Sequence, residues 1–554
     1  MAASKADFPS PTTDTTSLPF VRNEGRRWAV GYKETYIIRI MKRILFLSAL
    51  LCATFSIRMH AQTDDKEHIP LKHGAHRTGR RTDAAMQRWR EYGLGQFIHW
   101  GVYAIPGGVW DGKTYTGAAE WIRSWKEMPN DAYDNLYKQF NPANFDAKRW
   151  AVQAKEMGVR YMIFTTKHHD GFCLWPSKYS DYTIAATPYK KDIVKELVDA
   201  YASEGIDVYL YFSIIDWSHP GYTPGDNANP AQVRQALAAG ESYNPFKSKE
   251  QEEKYETFKT FTRNQLLELL DNYPEIKGLW FDGSWDISWI CNAAWADSLG
   301  LELREKHPGL IIGSRFRADE LGYRHVDANG DLIDDYDQRF ERNLPNNLEE
   351  TRGFDWDCVM TIPENQWGYH RDWSWTYVKT PYELIEMAVK ANSLDGNFVI
   401  NFGPDGNGAI RKEECEIAKE IGIWMAKNGE ALYGAHHSIL EKQDWGYSTQ
   451  NGDNIYLSVF NKPINNMIRV KLPKSNKKDM IYIIAKAEIL STKEIVRING
   501  NGKSGAYYRD KSGSSYYDLI IPESLRNPAA PFVIVIEIKE INKGDLESYQ
   551  QALT

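Results

Sequence analysis

GLWFDG, residues 278–283, is a short apolar run with a glycine on each side and one carboxylate, Asp282, at its end. Such a run reads as a buried strand. Parallel α/β barrels carry their reactive side chains at the C-terminal ends of strands, which is where Asp282 falls. An aspartate in that place can equally cap a following helix. Three other stretches argue for more than a cap. HWG at 99–101, TTKHHDGFCLW at 165–175 and NFGPDGNG at 401–408 each set polar or glycine-rich residues just past an apolar run. Several strands would therefore direct reactive groups to one rim.

The pattern around GLWFDG supports repeated strand–helix alternation. FDAKRWAVQAKEMG (145–158) reads as a helix closed by Gly158, and VRYMIFTT (159–166) as the strand after it. DIVKELVDAYASEG (192–205) puts Ile193, Val194, Leu197, Val198 and Tyr201 on one face, and IDVYLYFS (206–213) follows. FKTFTRNQLLELLDNY (258–273) spaces Phe258, Phe261, Leu266, Leu269 and Tyr273 as a helix would. LIIGSR (310–315) and NFVINFG (397–403) read as later strands, and EIAKEIGIWMAKNGEALYG (416–434) as the closing helix. The predicted fold class is α/β, a (β/α)8-like barrel over 62–434, with its helices weakest between about 320 and 380. HPGYTPGDNANP (219–230) is an insertion at the rim by its Pro, Gly and Asn content. Beyond 434 the pattern changes to short β-type runs: NIYLSVFN (454–461), NMIRVKLP (466–473), KAEILST (486–492), YYDLIIP (516–522) and FVIVIEIK (532–539). These predict a C-terminal antiparallel β-sandwich over 435–543.

The 554 residues exceed one ordinary domain, and 42% hydrophobic with 25% charged residues is a soluble globular balance. Nineteen Trp and 32 Tyr suit stacking on sugar faces, although a large core also absorbs aromatics. Residues 1–61 hold nine basic and four acidic residues, which leaves 58 basic against 70 acidic in the remainder. That remainder carries no long basic run, so a nucleic-acid partner is not expected. Met41-Lys42-Arg43 followed by ILFLSALLCATFSI and Ala61-Gln62 reads as a secretory signal cleaved near Ala61, preceded by an upstream extension from an over-long gene start. Its apolar run is short for a membrane span. The expected location is periplasmic or extracellular. Cys173, Cys291, Cys358 and Cys415 lie far apart without metal-type spacing and are expected as free buried thiols.

Five motifs, in this order, resemble family 29 of the glycoside hydrolases, the α-L-fucosidases. They are FIHWGVYAIP (97–106), AEW (119–121), KHHDGFCLW (167–175), WFDG (280–283) and NFVINFGPDGNG (397–408), within a match from about Gly95 to Gly434. The resemblance implies an exo-glycosidase that releases terminal α-L-fucose by double displacement, with Asp282 as nucleophile and a fucosylated oligosaccharide or polysaccharide as substrate. It implies sugar contacts for His99, His168, His169, Glu120 and Trp121, and an arginine, Arg315, beside the nucleophile that would lower its pKa. Trp280 stands two residues before Asp282 and shares its strand face. Each of these residues has an alternative as ordinary packing. Adjacent His168 and His169 also suggest a metal, but neighbouring strand residues point to opposite faces, so joint chelation is not expected. No cofactor and no metal are expected, and NFGPDGNG lacks the residues of a phosphate loop.

The proton donor is less clear. Relatives place a Glu in a WE segment before Trp-Gly-Tyr, whereas DWDCVMTIPENQWGY (355–369) has Asp357 there. Aspartate is one methylene shorter. Either Asp357 donates, or a nearby Glu364, Glu350 or Glu341 has taken the role, or the site is crippled; Asp357 and then Glu364 are the expected donors. Two rival readings follow: an α-L-galactosidase of the same fold, and a catalytically impaired carbohydrate-binding protein.

Overall fold

The computed structural model describes residues 81–125, 128–225, 228–320, 322–327, 329–499, 515–525 and 528–546. The expected signal and its cleavage near Ala61 lie outside the described residues.

Among the described residues, one curled sheet holds eight parallel strands. They are β1 (Leu94–Ile98), β2 (Tyr161–Lys167), β3 (Asp207–Ser213), β4 (Gly278–Asp282), β5 (Ile311–Ile312), β6 (Asp337–Glu341), β7 (Trp356–Thr361) and β8 (Gly396–Phe402). Their order in the sheet is β5-β4-β3-β2-β1-β8-β7-β6. The two edges do not pair as a ladder. Asp335 N donates to Ile312 O at 3.1 Å and Ser314 N to Tyr336 O at 3.0 Å, which draws the edges together into a barrel-like form.

Helices cover the outside: α1 (Ala84–Arg90), α2 (Ala147–Met157), α3 (Ile193–Ser203), α4 (Lys249–Asn272), α5 (Ala293–Lys306), α6 (Pro381–Asn392) and α7 (Lys412–Asn428). Helix α2 starts where Asp146 accepts from Arg149 N and stops at Gly158, whose φ of +94° suits glycine. It buries Trp150, Ala151, Ala154 and Met157, the stripe its periodicity predicts. Helix α4 begins nine residues before the expected Phe258, at the Ser248 cap, because its first turns are charged and mostly exposed. LIIGSR yields only a two-residue strand. The chain then turns through Ser314–Phe316, since Gly313 lies against Gln338, where a Cβ would come within 2.1 Å. Between 320 and 380 the described helix is the four-residue Leu348–Thr351, in keeping with the weak helical pattern there.

The N-terminal end of the barrel is plugged. Helix α1 lies across it, with the Trp89 and Tyr336 rings 4.6 Å apart and Trp89 O accepting from Asn397 Nδ2 at 2.8 Å. Tyr92, Tyr161 and Tyr209 fill the layer above, and Phe97, Tyr211, Trp280 and Val359 the next. The opposite end stays open.

Past α7, two antiparallel sheets face each other. One carries β9 (His436–His437), β10 (Gly446–Asn451), β11 (Asn454–Val459), β13 (Met480–Ile489) and β16 (Phe532–Asn542). The other carries β12 (Met467–Leu472), β14 (Arg497–Asn499) and β15 (Ser515–Ile520). Ile455, Leu457, Ile468, Val470, Leu519 and Ile534 form their shared core. The sandwich is fastened to the barrel where Trp424 Nε1 donates to Pro531 O at 2.8 Å and Thr449 Oγ1 to Ala431 O at 2.6 Å. No helix among the described residues is long and apolar enough to cross a membrane.

Candidate active site

A cavity of about 350 Å³ opens at the C-terminal ends of the strands. Six of the eight strands hand it a side chain at or near their ends: His99 after β1, His168 after β2, Tyr211 from β3, Asp282 from β4, Arg315 after β5 and Glu341 from β6. Strand pairing sets the floor. Tyr211 is in register with Trp280, and the two rings stack 5.4 Å apart. Two residues on, Asp282 ends β4, and Gly283 turns the chain away at φ +98°.

Arg315 organises the charge. Its Nη1 donates to Asp282 Oδ1 at 3.0 Å, and its Nη2 donates to Glu341 Oε2. Glu320 comes within 3.8 Å of the same guanidinium. Asp282 Oδ2 accepts from the Tyr211 hydroxyl at 2.9 Å and lies 3.5 Å from His169 Nε2. Burial pushes the Asp282 carboxyl up to about 7, and Arg315 opposes that shift without cancelling it. The expected downward pull of Arg315 is therefore present but outweighed by desolvation. Burial would also raise Glu341, yet Arg315 and Arg342 outweigh it and hold this carboxyl below its usual value. Asp282 and Glu341 share one guanidinium, so the proton they hold belongs to the pair rather than to either residue.

The three histidines are buried and neutral. Burial is the main cause: it pushes His169 to about 3, with Arg315 and Lys167 adding to the shift, and His168 well below its ordinary value. The expectation that His168 and His169 face opposite ways fails. Strand β2 ends at Lys167, so strand alternation no longer governs them, and their rings lie 4.4 Å apart on the same rim. His169 Nδ1 is engaged with Ser213 Oγ at 2.6 Å. Among the described residues no group of three His, Cys, Asp or Glu side chains is placed to hold a metal ion.

Glu120 is buried at the cavity wall. Its Oε2 accepts from Gly368 N at 2.9 Å, while Oε1 has no protein partner, and burial raises the carboxyl to about 7. Trp121 packs edge-on to His169 with ring centres 5.0 Å apart.

Of the ten residues expected at the site, seven line the cavity: His99, Glu120, Trp121, His168, Trp280, Asp282 and Arg315. His169 touches Asp282 from just behind. Asp357 and Glu364 are corrections. Asp357 is the second residue of β7, in register with Asn397 at the plugged end, and its side chain is buried under the tyrosine layer rather than in the cavity. Glu364 is half exposed and pairs with Lys379 at 2.6 Å, away from the cavity. Of the other glutamates considered as donors, Glu341 lines the cavity, and Glu350 bonds Asn346 in an exposed turn. Sequence reading missed Tyr211, Trp285, Glu320 and Trp367. Tyr211 was within reach, because it shares a strand face with Ser213 in YLYFS and parallels Trp280.

The family model described as alpha-L-fucosidase matches residues 64–430. A family 29 α-L-fucosidase structure from Bacteroides thetaiotaomicron is 46% identical, covers 85% of this chain and 98% of its own, and superposes with a TM-score of 0.73. A second structure from that organism is a trapped covalent intermediate with 2-fluoro-fucosyl fluoride, obtained in a glutamate-to-glutamine variant. It is 45% identical, covers 85% of this chain and all of its own, with a TM-score of 0.73. Human tissue α-L-fucosidase is 26% identical over 404 residues, covering 69% of this chain and 76% of its own. Fold and site together are those of a barrel glycoside hydrolase. The chain belongs to the α-L-fucosidase family.

Proposed function

We propose that the protein is a retaining exo-α-L-fucosidase in which Asp282 is the nucleophile and Glu341 the acid/base. The observation that carries this reading is the single Arg315 fork holding both carboxyls at the open end of the barrel. A shared fork favours the short carboxyl separation of retaining chemistry, about 5–5.5 Å. The cavity lies near the lower end of the usual ligand-pocket range of about 300–1,000 Å³, which suits one sugar ring. Trp280, Trp367, Phe97 and Val359 offer it apolar faces.

In the sugar-free site below about pH 7, one proton is retained between Asp282 and Glu341. As positive charge develops at the anomeric carbon beside Asp282, the ionised aspartate is favoured there and the retained proton falls to Glu341. Glu341 then protonates the departing oxygen while Asp282 forms the glycosyl bond. Water, deprotonated by Glu341, releases the sugar with net retention. Trapping of the intermediate in a glutamate variant of the Bacteroides relative fits this role for a glutamate. Placing Glu341 in the cavity also removes the motive for a crippled site, which rested on Asp357.

The test is proton NMR of nitrophenyl α-L-fucoside hydrolysis, with the α-L-galactoside alongside. Initial release of the α-anomer of fucose is expected. The β-anomer first would overturn retention, and faster turnover of the galactoside would change the sugar. We further propose export, on the signal-like segment from Met41; the mature N-terminus from the native host, expected near Gln62, tests it.

A further inference from the structure

Asn401 in β8 joins two parts of the cavity wall that come from distant parts of the chain. The ladder places it opposite Phe97 of β1 and Thr361 of β7, with its side chain buried. One further ladder bond, His99 N to Phe402 O at 3.0 Å, brings His99 alongside. The Asn401 amide then makes two contacts. Its Nδ2 donates to Trp367 O at 2.7 Å, and its Oδ1 meets His99 Nδ1 at 2.6 Å.

Chemistry leaves one arrangement for these atoms. The Trp367 carbonyl can only accept, so the amide nitrogen must face it. The amide oxygen can also only accept, so His99 Nδ1 must carry the hydrogen. A neutral imidazole has a single N–H, and burial keeps this ring neutral by pushing it to about 3. His99 lines the cavity, and Nε2, with its lone pair, is the ring nitrogen left for a ligand. The Trp367 ring stands 5.1 Å from the His99 ring, so the same amide sets the spacing of an apolar face and a polar point.

We infer that Asn401 is a positioning residue that locks His99 with its hydrogen on Nδ1. The cavity thereby presents Nε2 as an acceptor and selects sugars that carry a hydroxyl donor at that point. This deepens the fucosidase reading and rests on it for the identity of the ligand. The tautomer itself does not depend on that reading. A ring substituent that accepts but cannot donate fails at this point, however well it fits.

Nitrogen NMR of the full chain with ¹⁵N-histidine tests the lock directly, with the His99 signals identified by their loss in His99→Gln. The wild type is expected to show a protonated Nδ1 and an unprotonated Nε2. Asn401→Leu is expected to lose that preference. A hydrogen on Nε2 in the wild type, or an unchanged tautomer in the variant, overturns the lock; the wild-type spectrum alone decides if the variant does not fold. Calorimetry with deoxy and deoxyfluoro analogues of L-fucose reads the consequence. At one ring position both analogues should bind the wild type about 10-fold more weakly than fucose, because fluorine does not donate. In Asn401→Leu that deficit should shrink to within about threefold. A fluoro analogue that binds the wild type as well as fucose at every position overturns the selection. Failure of fucose itself to bind, with the tautomer as stated, overturns the sugar reading and leaves the lock standing.

Discussion

Asp282 and Asp357 stand at opposite ends of one curled sheet, and both are buried. At the open end, Asp282 has a guanidinium, a phenol and a cavity in front of it. At the plugged end, Asp357 has burial, opposed by the Arg315 charge and reinforced by that of Asp337, and an Oδ2 without a protein partner. Burial raises both carboxyls, and it raises Asp357 well above its usual value. The difference is what each end can do with an ionised group. Arg315 and Tyr211 hydrogen-bond a carboxylate at Asp282, whereas Asp357 feels Arg315 only through its charge and is held as a neutral acid in a tyrosine-lined interior. A perturbed pKa marks both ends, but only geometry separates the reactive one from the structural one.

Removing the nucleophile should break this comparison most strongly. Asp282→Ala is expected to lower kcat/KM by at least about 10³-fold, with azide restoring part of it as an azido sugar of inverted configuration. Wild-type kcat/KM should fall as pH rises through about 7, because the ionisation that burial sets there removes the one proton that Asp282 and Glu341 retain between them and that Glu341 must donate. Normal activity in Asp282→Asn, or a flat basic limb in the wild type, would remove the assignment.

Next comes the proton donor. Glu341→Ala should slow substrates with poor leaving groups by about 10²–10⁴-fold and nitrophenyl fucoside far less, since nitrophenolate leaves without a proton. The basic limb of the pH–rate profile should flatten in the same variant. Equal losses on good and poor leaving groups would take the role from Glu341.

Asp357→Asn sharpens the contrast from the other end. Activity should stay within a few-fold of wild type. The native state holds a proton on Asp357 that the unfolded chain releases above about pH 4, so this group lowers stability progressively as pH rises. The asparagine variant lacks that cost. Its Tm advantage over wild type should grow from pH 4 to pH 8, by about 1 °C for each kcal/mol gained in a chain of this size. An advantage that shrinks with pH would mean Asp357 is ionised. The smallest effect is expected for Glu364→Ala, which removes a half-exposed ion pair with Lys379: a stability change under about 1 kcal/mol and unaltered leaving-group dependence.

Strand ends were legible along the chain wherever an apolar run met a polar or glycine-rich turn. That signal found His99, His168, Asp282 and the β8 loop, and helix periodicity found α2, α3 and most of α4. It overran at β5, where LIIGSR gives a strand of only two residues before Gly313 lets the chain turn against Gln338. It also did not separate Asp357 from Glu341, the donor proposed above. Asp357 and Glu341 belong to neighbouring strands, and motif spacing does not say which end of a strand a residue occupies. The register does: Asp357 pairs with Asn397 near the start of β8, while Glu341 closes β6 and pairs with Val359.

The sequence by itself determined the barrel class, the C-terminal sandwich and the nucleophile candidate, because local periodicity and strand-end chemistry are written in neighbouring residues. Tertiary structure decided which carboxyl faces Asp282, that Arg315 bridges the two, and that burial outweighs that arginine at Asp282. Those outcomes depend on side chains from β4, the turn after β5 and β6 meeting across one rim, a distance that neighbouring residues do not encode.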